Sequence, residues 1–443
     1  MRGLNVYIDR RLVGTLEEGE DLWRFAYTGQ WTQAADSFDL SPALPRAQPL
    51  HVDGASNRPV QWYFDNLLPE ELLRQTISKE AGIKGDDAFA LLEYLGTESA
   101  GSLTLLPPGQ ALPETGRLTA LTDEALSRRI ANIPGTTLTA QAPKRMSLAG
   151  AQHKLLIVCH KGMLFEPEGA TPSTHILKPS HPDANSYPAS VVNEYVTMRI
   201  AAAAGLPVPA VYMRYVPEPV YVVDRFDRQV RLLGTSEDGT PRMDVQRLHI
   251  IDACQLLNRA RTFKHSGASL EALRDIIERT TNKLHSRMQL FRWLVFNVVI
   301  GNDDCHLKNL SFFIGPEGVR LADHYDLLAT GTWYTRAYAD AKAIWPQVPM
   351  AIALPGARVF GEVGFDSVRK AGLELGLSDS TARRVIKELV TRVPIALAKE
   401  MAEIEIRRAA LPDFARAHLA GETRFLHVLE HVIVREMLER ISK

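Results

Sequence analysis

IGNDDCHLKNLSFFIGPEGVRLADHYDLLA, residues 300–329, is the stretch on which the reading of this chain turns. Before it runs FRWLVFNVVI (291–300), so nearly apolar that it has to be buried. A polar loop, GNDDCHLKN (301–309), follows abruptly, and the apolar LSFFI (310–314) after it reads as a strand. A polar loop pinned between two buried elements is held by the scaffold on both sides, and function concentrates in such places. Asp304 stands in this loop, Asn309 comes five residues later, and Asp326 follows the strand-like VRLADHY (319–325).

Phosphoryl transfer asks for such a set. Charge spreads over the transferring group, so oxygen donors must hold Mg2+ while a separate carboxylate stays free to take the attacking hydroxyl's proton. Protein kinases meet this need with an Asp as base, an Asn five residues on as a metal ligand, and a later Asp on the metal that bridges the ATP phosphates. On that pattern Asp304 is the base, and Asn309 and Asp326 hold Mg2+. Asx residues also crowd into ordinary turns, so the rest of the chain has to supply matching parts.

Four upstream segments do. SLAGAQHK (147–154) is a small-residue loop ahead of the strand LLIVC, of the kind whose backbone N–H groups approach phosphate. It carries Ala149, Gly150, Ala151, Gln152, His153 and Lys154, and with one glycine it also reads as a plain turn. THILKPS (174–180) is a strand ending at Lys178, and the helix ASVVNEYVTMRIAAAAG (189–205) carries Glu194. In kinases a strand lysine touches the nucleotide phosphates and a helix glutamate holds it. The plainer reading is a solvated lysine and a surface glutamate. In VVDRFDR (222–228), backbone groups of Asp224, Arg225 and Phe226 suit an adenine ring, with Phe226 as apolar contact. Alternatively Asp224, Arg225, Asp227 and Arg228 form an ion-pair cluster at a strand end.

At 443 residues the chain exceeds one core and predicts two or three domains. With 45% hydrophobic and 23% charged residues and a net charge of −1, it reads as an ordinary soluble protein that does not bind DNA well alone. Cys159, Cys254 and Cys305 form neither a metal motif nor a disulfide framework, which fits a reducing cytosol. Cys305 reads as a passive thiol. Neither a signal peptide nor an apolar run long enough to span a bilayer is visible, so a cytoplasmic protein with no membrane partner is expected.

Residues 1–108 predict a small α+β domain: a hairpin LNVYI/LVGTL, a third strand WRFAYTG, a helix introduced by Asn66 and Pro69, the helix DDAFALLEYLG and the strand GSLTLL. Residues 109–144 predict a helix, LTDEALSRRIANI, between loops. Residues 145–228 predict the small-lobe portion with its nucleotide loop, and residues 229–443 a lobe that is helical from about residue 240. A late helix capped at Ser378 and kinked at Pro394 carries Arg383, Arg384 and Lys387 as a basic face. The fold class expected is α+β: a two-lobed, protein-kinase-like fold with a small N-terminal α+β domain and a large, mostly helical C-terminal lobe.

FDNLLPE (64–70), SLAGAQHK, THILKP, NEY (193–195), DRFDR (224–228), GNDDCHLKN and HYDLL (324–328), in that order along the whole chain, resemble the HipA family of bacterial toxin–antitoxin systems. The resemblance implies an ATP- and Mg2+-dependent serine/threonine-protein kinase. It gives Asp304 the role of base, Asn309 and Asp326 the metal, Lys178 the nucleotide and residues 149–154 the phosphate loop. His306 matches the family's loop histidine, and Ser147 a serine that members autophosphorylate to switch themselves off. It further implies an aminoacyl-tRNA synthetase as substrate, classically the glutamate enzyme, and a HipB-like helix-turn-helix antitoxin as partner. Operator DNA is met through that complex, with Arg383, Arg384 and Lys387 as candidate contacts. Asp303 and Cys305 depart from the small residues usual there, and Asp224 from a longer acid. The competing readings are a catalytically silent co-repressor of the antitoxin and a small-molecule kinase.

Overall fold

The computed structural model describes residues 1–133, 135–147 and 149–442. Strand β1 (Arg2–Ile8) buries Leu4, Val6 and Ile8 on one face, the period-two pattern of a half-covered strand. With β2 (Arg11–Gly19), β3 (Leu22–Tyr27), β4 (Leu50–Val52) and β5 (Leu103–Leu106) it forms an antiparallel sheet in the order β4–β3–β2–β1–β5. Trp23, Phe25 and Tyr27 point from β3 into the core, beside Phe64 and Phe89.

The helices here differ from expectation in one respect. Asn66 does not introduce a helix; it closes a separate one, Pro59–Asp65. That helix starts at Pro59, where a missing N–H costs nothing, and the Asp53 carboxylate accepts from the N–H groups of Val60 and Gln61. The next helix, Glu71–Ala81, ends at Gly82, and Ala88–Leu95 ends at Gly96.

Residues 116–121, expected in a loop, form β6 (Gly116–Leu121), which pairs with β8. An edge strand with one buried residue leaves no alternation to read. The hairpin β7 (Leu155–His160) and β8 (Met163–Gly169) turns at Lys161 and Gly162, both at positive φ as a tight hairpin requires. The following strands are β9 (His175–Pro179), β10 (Val211–Tyr215) and β11 (Pro219–Asp224). One sheet runs β11–β9–β7–β8–β6.

The expectation of helix from about residue 240 fails for the segment up to 252. After β12 (Arg228–Thr235), that segment forms β13 (Pro241–Arg247) and β14 (Ile250–Asp252). The β12–β13 hairpin exposes much of both faces, which hides its period. β14 pairs with β15 (Ser311–Gly315), which pairs with β16 (Gly318–Leu321). The chain divides into two compact units, residues 1–178, 222–262 and 311–322 in one, and 179–221, 263–310 and 323–443 in the other.

The first unit is cross-braced by a buried ion cluster. Glu98, wholly buried, accepts from Lys144 Nζ at 2.8 Å, Arg228 Nη2 at 3.1 Å and Arg225 Nη1 at 3.3 Å, while Asp227 takes two further bonds from Arg225. Attraction to these cations outweighs burial and holds the Glu98 carboxyl well below the usual range.

The second unit is helical. Helix Ser190–Ala204, almost entirely buried, packs on the long helix Asp379–Arg408, which continues through Pro394. Arg199 joins them by pairing with Glu400 and Glu403. Helix Lys283–Val299 packs on the same long helix and buries Phe291, Trp293, Leu294 and Phe296. Among the described residues no helix is long and apolar enough to cross a membrane.

Candidate active site

The polar loop begins where helix Lys283–Val299 stops. Gly301 sits at φ +65°, and a Cβ there would lie 2.9 Å from the Trp345 ring and 3.0 Å from Ile433. Its carbonyl accepts from Gly331 N–H at 2.8 Å, joining the loop to the segment after Asp326. Asn302, buried, donates to Asn297 Oδ1 at 2.7 Å and accepts the Asp304 N–H at 3.0 Å.

The adjacent acids are sorted by their surroundings. Asp303 N–H donates to Thr330 Oγ1 at 2.8 Å. Its carboxyl sits beside the hydroxyls of Thr330 and Tyr334, which favour the charged form, and burial lifts it above its ordinary range all the same. Asp304 turns the other way, its side chain 51% exposed, with His306 Nε2 3.9 Å from Oδ1. Asn309 Nδ2 donates to the Asp304 carbonyl at 2.9 Å, which fixes the orientation of the amide. Cys305 is buried and its thiol is pushed far up by burial and by the neighbouring acids, so it stays protonated.

Asp326 reaches this loop through its neighbours. Tyr325 Oη donates to the Lys308 carbonyl at 2.7 Å, and Asp326 itself adopts φ +56°, a costly conformation for a residue with a Cβ. Glu194 is buried rather than on the surface. The Tyr221 hydroxyl is held well above its ordinary range by burial, then by the carboxylates of Glu194 and Asp326 beside it. Asn193, next to Glu194, exchanges two side-chain bonds with the backbone of Ala329. An amide oxygen and a carboxylate, with a second buried carboxylate near, are hard oxygen donors that fit Mg2+.

The loop over residues 147–154 lies in the other unit. Ser147 is buried; its N–H donates to the Glu98 carbonyl and its Oγ to the Leu67 carbonyl, each at 2.7 Å. Gly150, at φ +109°, accepts from Glu70 N–H at 3.1 Å and forms a parallel bridge with Pro69. FDNLLPE therefore clasps this loop, a role its sequence does not announce. Lys154 Nζ folds back to the Ala149 carbonyl at 2.5 Å, and His153 is buried. Ala151 and Gln152 are half-buried. Lys178, on β9, is buried, so it is not a solvated strand end.

The segment 224–228 holds the ion cluster rather than an open adenine reader. Arg225 N–H donates to the Thr174 carbonyl at 2.9 Å and its guanidinium is spent on Glu98, Asp227 and Ser173, so any nucleotide contact of Arg225 falls to its backbone rather than its side chain. Asp224 sits 3.1 Å from His175 Nε2, and the Phe226 ring meets Phe313 edge-on. On the late helix, Arg383 pairs with Asp379 and stacks on Phe365, and Arg384 pairs with Glu388, so the basic face is partly neutralised. Lys387 lies one turn further along the same helix.

The sequence reading missed Tyr221, Thr330 and Tyr334, whose roles arise only from packing, and His265. The His265 ring lies 4.6 Å from that of His306, edge to face. No local pattern marks it, because the two are far apart in the chain.

Residues 4–106 match the HipA N-terminal domain and residues 146–397 the HipA-like C-terminal domain. The chain is 34% identical over 447 residues to the Sinorhizobium fredii protein named "Putative kinase Y4mE", covering 97% of this chain and 99% of that one. It is 30% identical over 347 residues to the serine/threonine-protein kinase toxin HipA of Shewanella oneidensis, covering 74% and 75%. Against the solved structure of the Shewanella oneidensis MR-1 HipA, HipB and operator DNA complex the TM-score is 0.75, at 25% identity over 98% of this chain and 99% of that chain. The chain belongs to the HipA family, and its fold is the two-lobed, kinase-like α+β fold.

Proposed function

We propose that this protein is an ATP- and Mg2+-dependent serine/threonine-protein kinase that acts as the toxin of a toxin–antitoxin pair. The observation that carries the reading is the loop at 302–309. It places Asp303 beside Thr330 and Tyr334, keeps the Asp304 side chain half exposed, and anchors Asn309 on the Asp304 carbonyl. Asp304 accepts the proton of the attacking hydroxyl, with His306 beside it. Mg2+, when bound, neutralises charge on the phosphates; Asn309 and Asp326 are the residues to hold it, with Glu194 in support. Residues 149–154 and Lys178 hold the phosphates, and Asp224 and Phe226 border the adenine. The N-terminal segment positions the phosphate loop through Leu67, Pro69 and Glu70.

Ser147 is the proposed autophosphorylation site. In the clasped loop its hydroxyl is buried against the Leu67 carbonyl. Accepting phosphate therefore requires the loop to leave, and the added charge, about −1.5 to −2, keeps it out. The solved relative is a complex with HipB and operator DNA. A HipB-like antitoxin is proposed as partner here, with DNA met through it, and an aminoacyl-tRNA synthetase as substrate.

Intact mass after incubation with Mg-ATP tests the reading, beside Asp304→Asn and Ser147→Ala. One added phosphate in the wild type and none in either variant is expected. A gain that survives Asp304→Asn assigns the base elsewhere. No gain from a demonstrably unphosphorylated start refutes the kinase and favours a silent co-repressor.

A further inference from the structure

Two imidazoles and a carboxylate meet at the open end of the 301–309 loop. His265, Asp304 and His306 each offer one ligand atom, and these atoms lie within 4.8 Å of one another. The framework holding them is fixed. Leu307 N–H donates to the Lys264 carbonyl at 3.1 Å, tying the segment that carries His265 to the one that carries His306. His306 N–H donates to the Asp304 carbonyl at 2.9 Å, and Ala268 N–H closes a turn on the His265 carbonyl. His306 is buried, whereas the side chains of His265 and Asp304 reach solvent.

We propose that His265, Asp304 and His306 form a site for one transition-metal ion of the zinc class, separate from the Mg2+ held by Asn309 and Asp326. Its occupation takes Asp304 out of phosphoryl transfer, a consequence that rests on the kinase reading above. The donor set decides the metal. Mg2+ takes six oxygens in near-ideal octahedral order, whereas nitrogen of neutral imidazole with one carboxylate suits Zn2+, Co2+ or Ni2+. Three protein ligands and one open position make the usual accessible zinc site. Ligands roughly 2.0–2.1 Å from a tetrahedral ion stand about 3.4 Å apart. From the present spacing, His265 and Asp304 need only side-chain rotations to close on a fixed His306. A carboxylate bound to a dication is a much weaker base toward the substrate's proton.

Co2+ titration of the full-length chain without nucleotide, followed by the visible bands of four-coordinate cobalt, reads the site independently of activity. A His427→Ala background removes a second close histidine pair, His427 with His431. One Co2+ per chain, displaced by Zn2+, with affinity falling more than about tenfold in His265→Ala, is expected. Phosphate transfer, scaled to each variant's own metal-free rate, should be inhibited by micromolar free Zn2+ in the parent and resist it in His265→Ala. Absent bands, or equal affinity in His265→Ala, overturn the site. Equal zinc inhibition in both overturns its coupling to Asp304. A chain that binds cobalt here yet never transfers phosphate refutes the kinase reading and leaves the metal site standing.

Discussion

Replacing Glu98 by Gln should be among the most damaging single changes in the first unit, although it removes only a charge. The carboxylate is fully buried and accepts from Lys144, Arg225, Arg228 and both the N–H and Oγ of Ser173. The substituted amide would offer one acceptor oxygen and an NH2 facing cations. Arg225 and Arg228 would then share Asp227, and Lys144 would be left with the Thr171 carbonyl. Breaking a buried ion pair by removing one partner costs about 3–5 kcal/mol, and the low dielectric here places this case within that range. Urea unfolding followed by fluorescence, at pH 7, reads the cost as a lower midpoint for the transition of this unit. The double variant with Lys144→Met should lose less than the sum of the two single changes, because the two groups share one interaction. The sign with pH follows from the depressed carboxyl: its contribution is present above the unfolded value near 4.5 and is lost as pH falls through the folded one. A loss under about 1 kcal/mol, or strict additivity with Lys144→Met, would refute the electrostatic reasoning.

Three further outcomes are expected. Asp304→Asn should lower phosphate transfer about 10²–10⁴-fold while Asp303→Asn mainly lowers stability; single-turnover kinetics and thermal melts on both variants separate these, and the reverse order would assign the base to Asp303. Gly150→Ala places a Cβ at φ +109°, 2.7 Å from Lys154 Nζ, and strains the loop by about 1–3 kcal/mol; ATP affinity by equilibrium dialysis should fall, and an unchanged Kd would remove this loop from nucleotide binding. His249 is fully buried against Ser102, Tyr63 and the Leu40 carbonyl, and burial pushes it down to about 4. Its folded value lies below the unfolded one near 6.5, so stability is full above that pH and declines toward pH 4. Stability should drop by about 3 kcal/mol over that window in the wild type and by much less in His249→Gln.

The candidate loop was legible because its cues are local. Asp304 and Asn309 are five residues apart, and apolar runs on either side bound them. β1 to β3 were legible for the same reason, since one covered face gives each its alternation. β6, β12 and β13 were not, because strands exposed along much of their length carry no such signal. Arg225 shows the same limit in a site residue. The ion-pair cluster was one reading of its segment, but that Glu98, far away in sequence, claims its guanidinium is set by packing.

The sequence by itself determined the kinase-like order of parts, the family, and which short loops carry the polar residues, since spacing and hydrophobic period are properties of the chain. Tertiary structure alone decided which of two adjacent acids faces outward, because Thr330 and Tyr334 hold Asp303. It alone buried Glu194 beside Tyr221, gave FDNLLPE a loop to clasp, and brought His265 to His306. Those outcomes depend on contacts between residues distant in the chain, and only packing brings such residues within hydrogen-bonding reach.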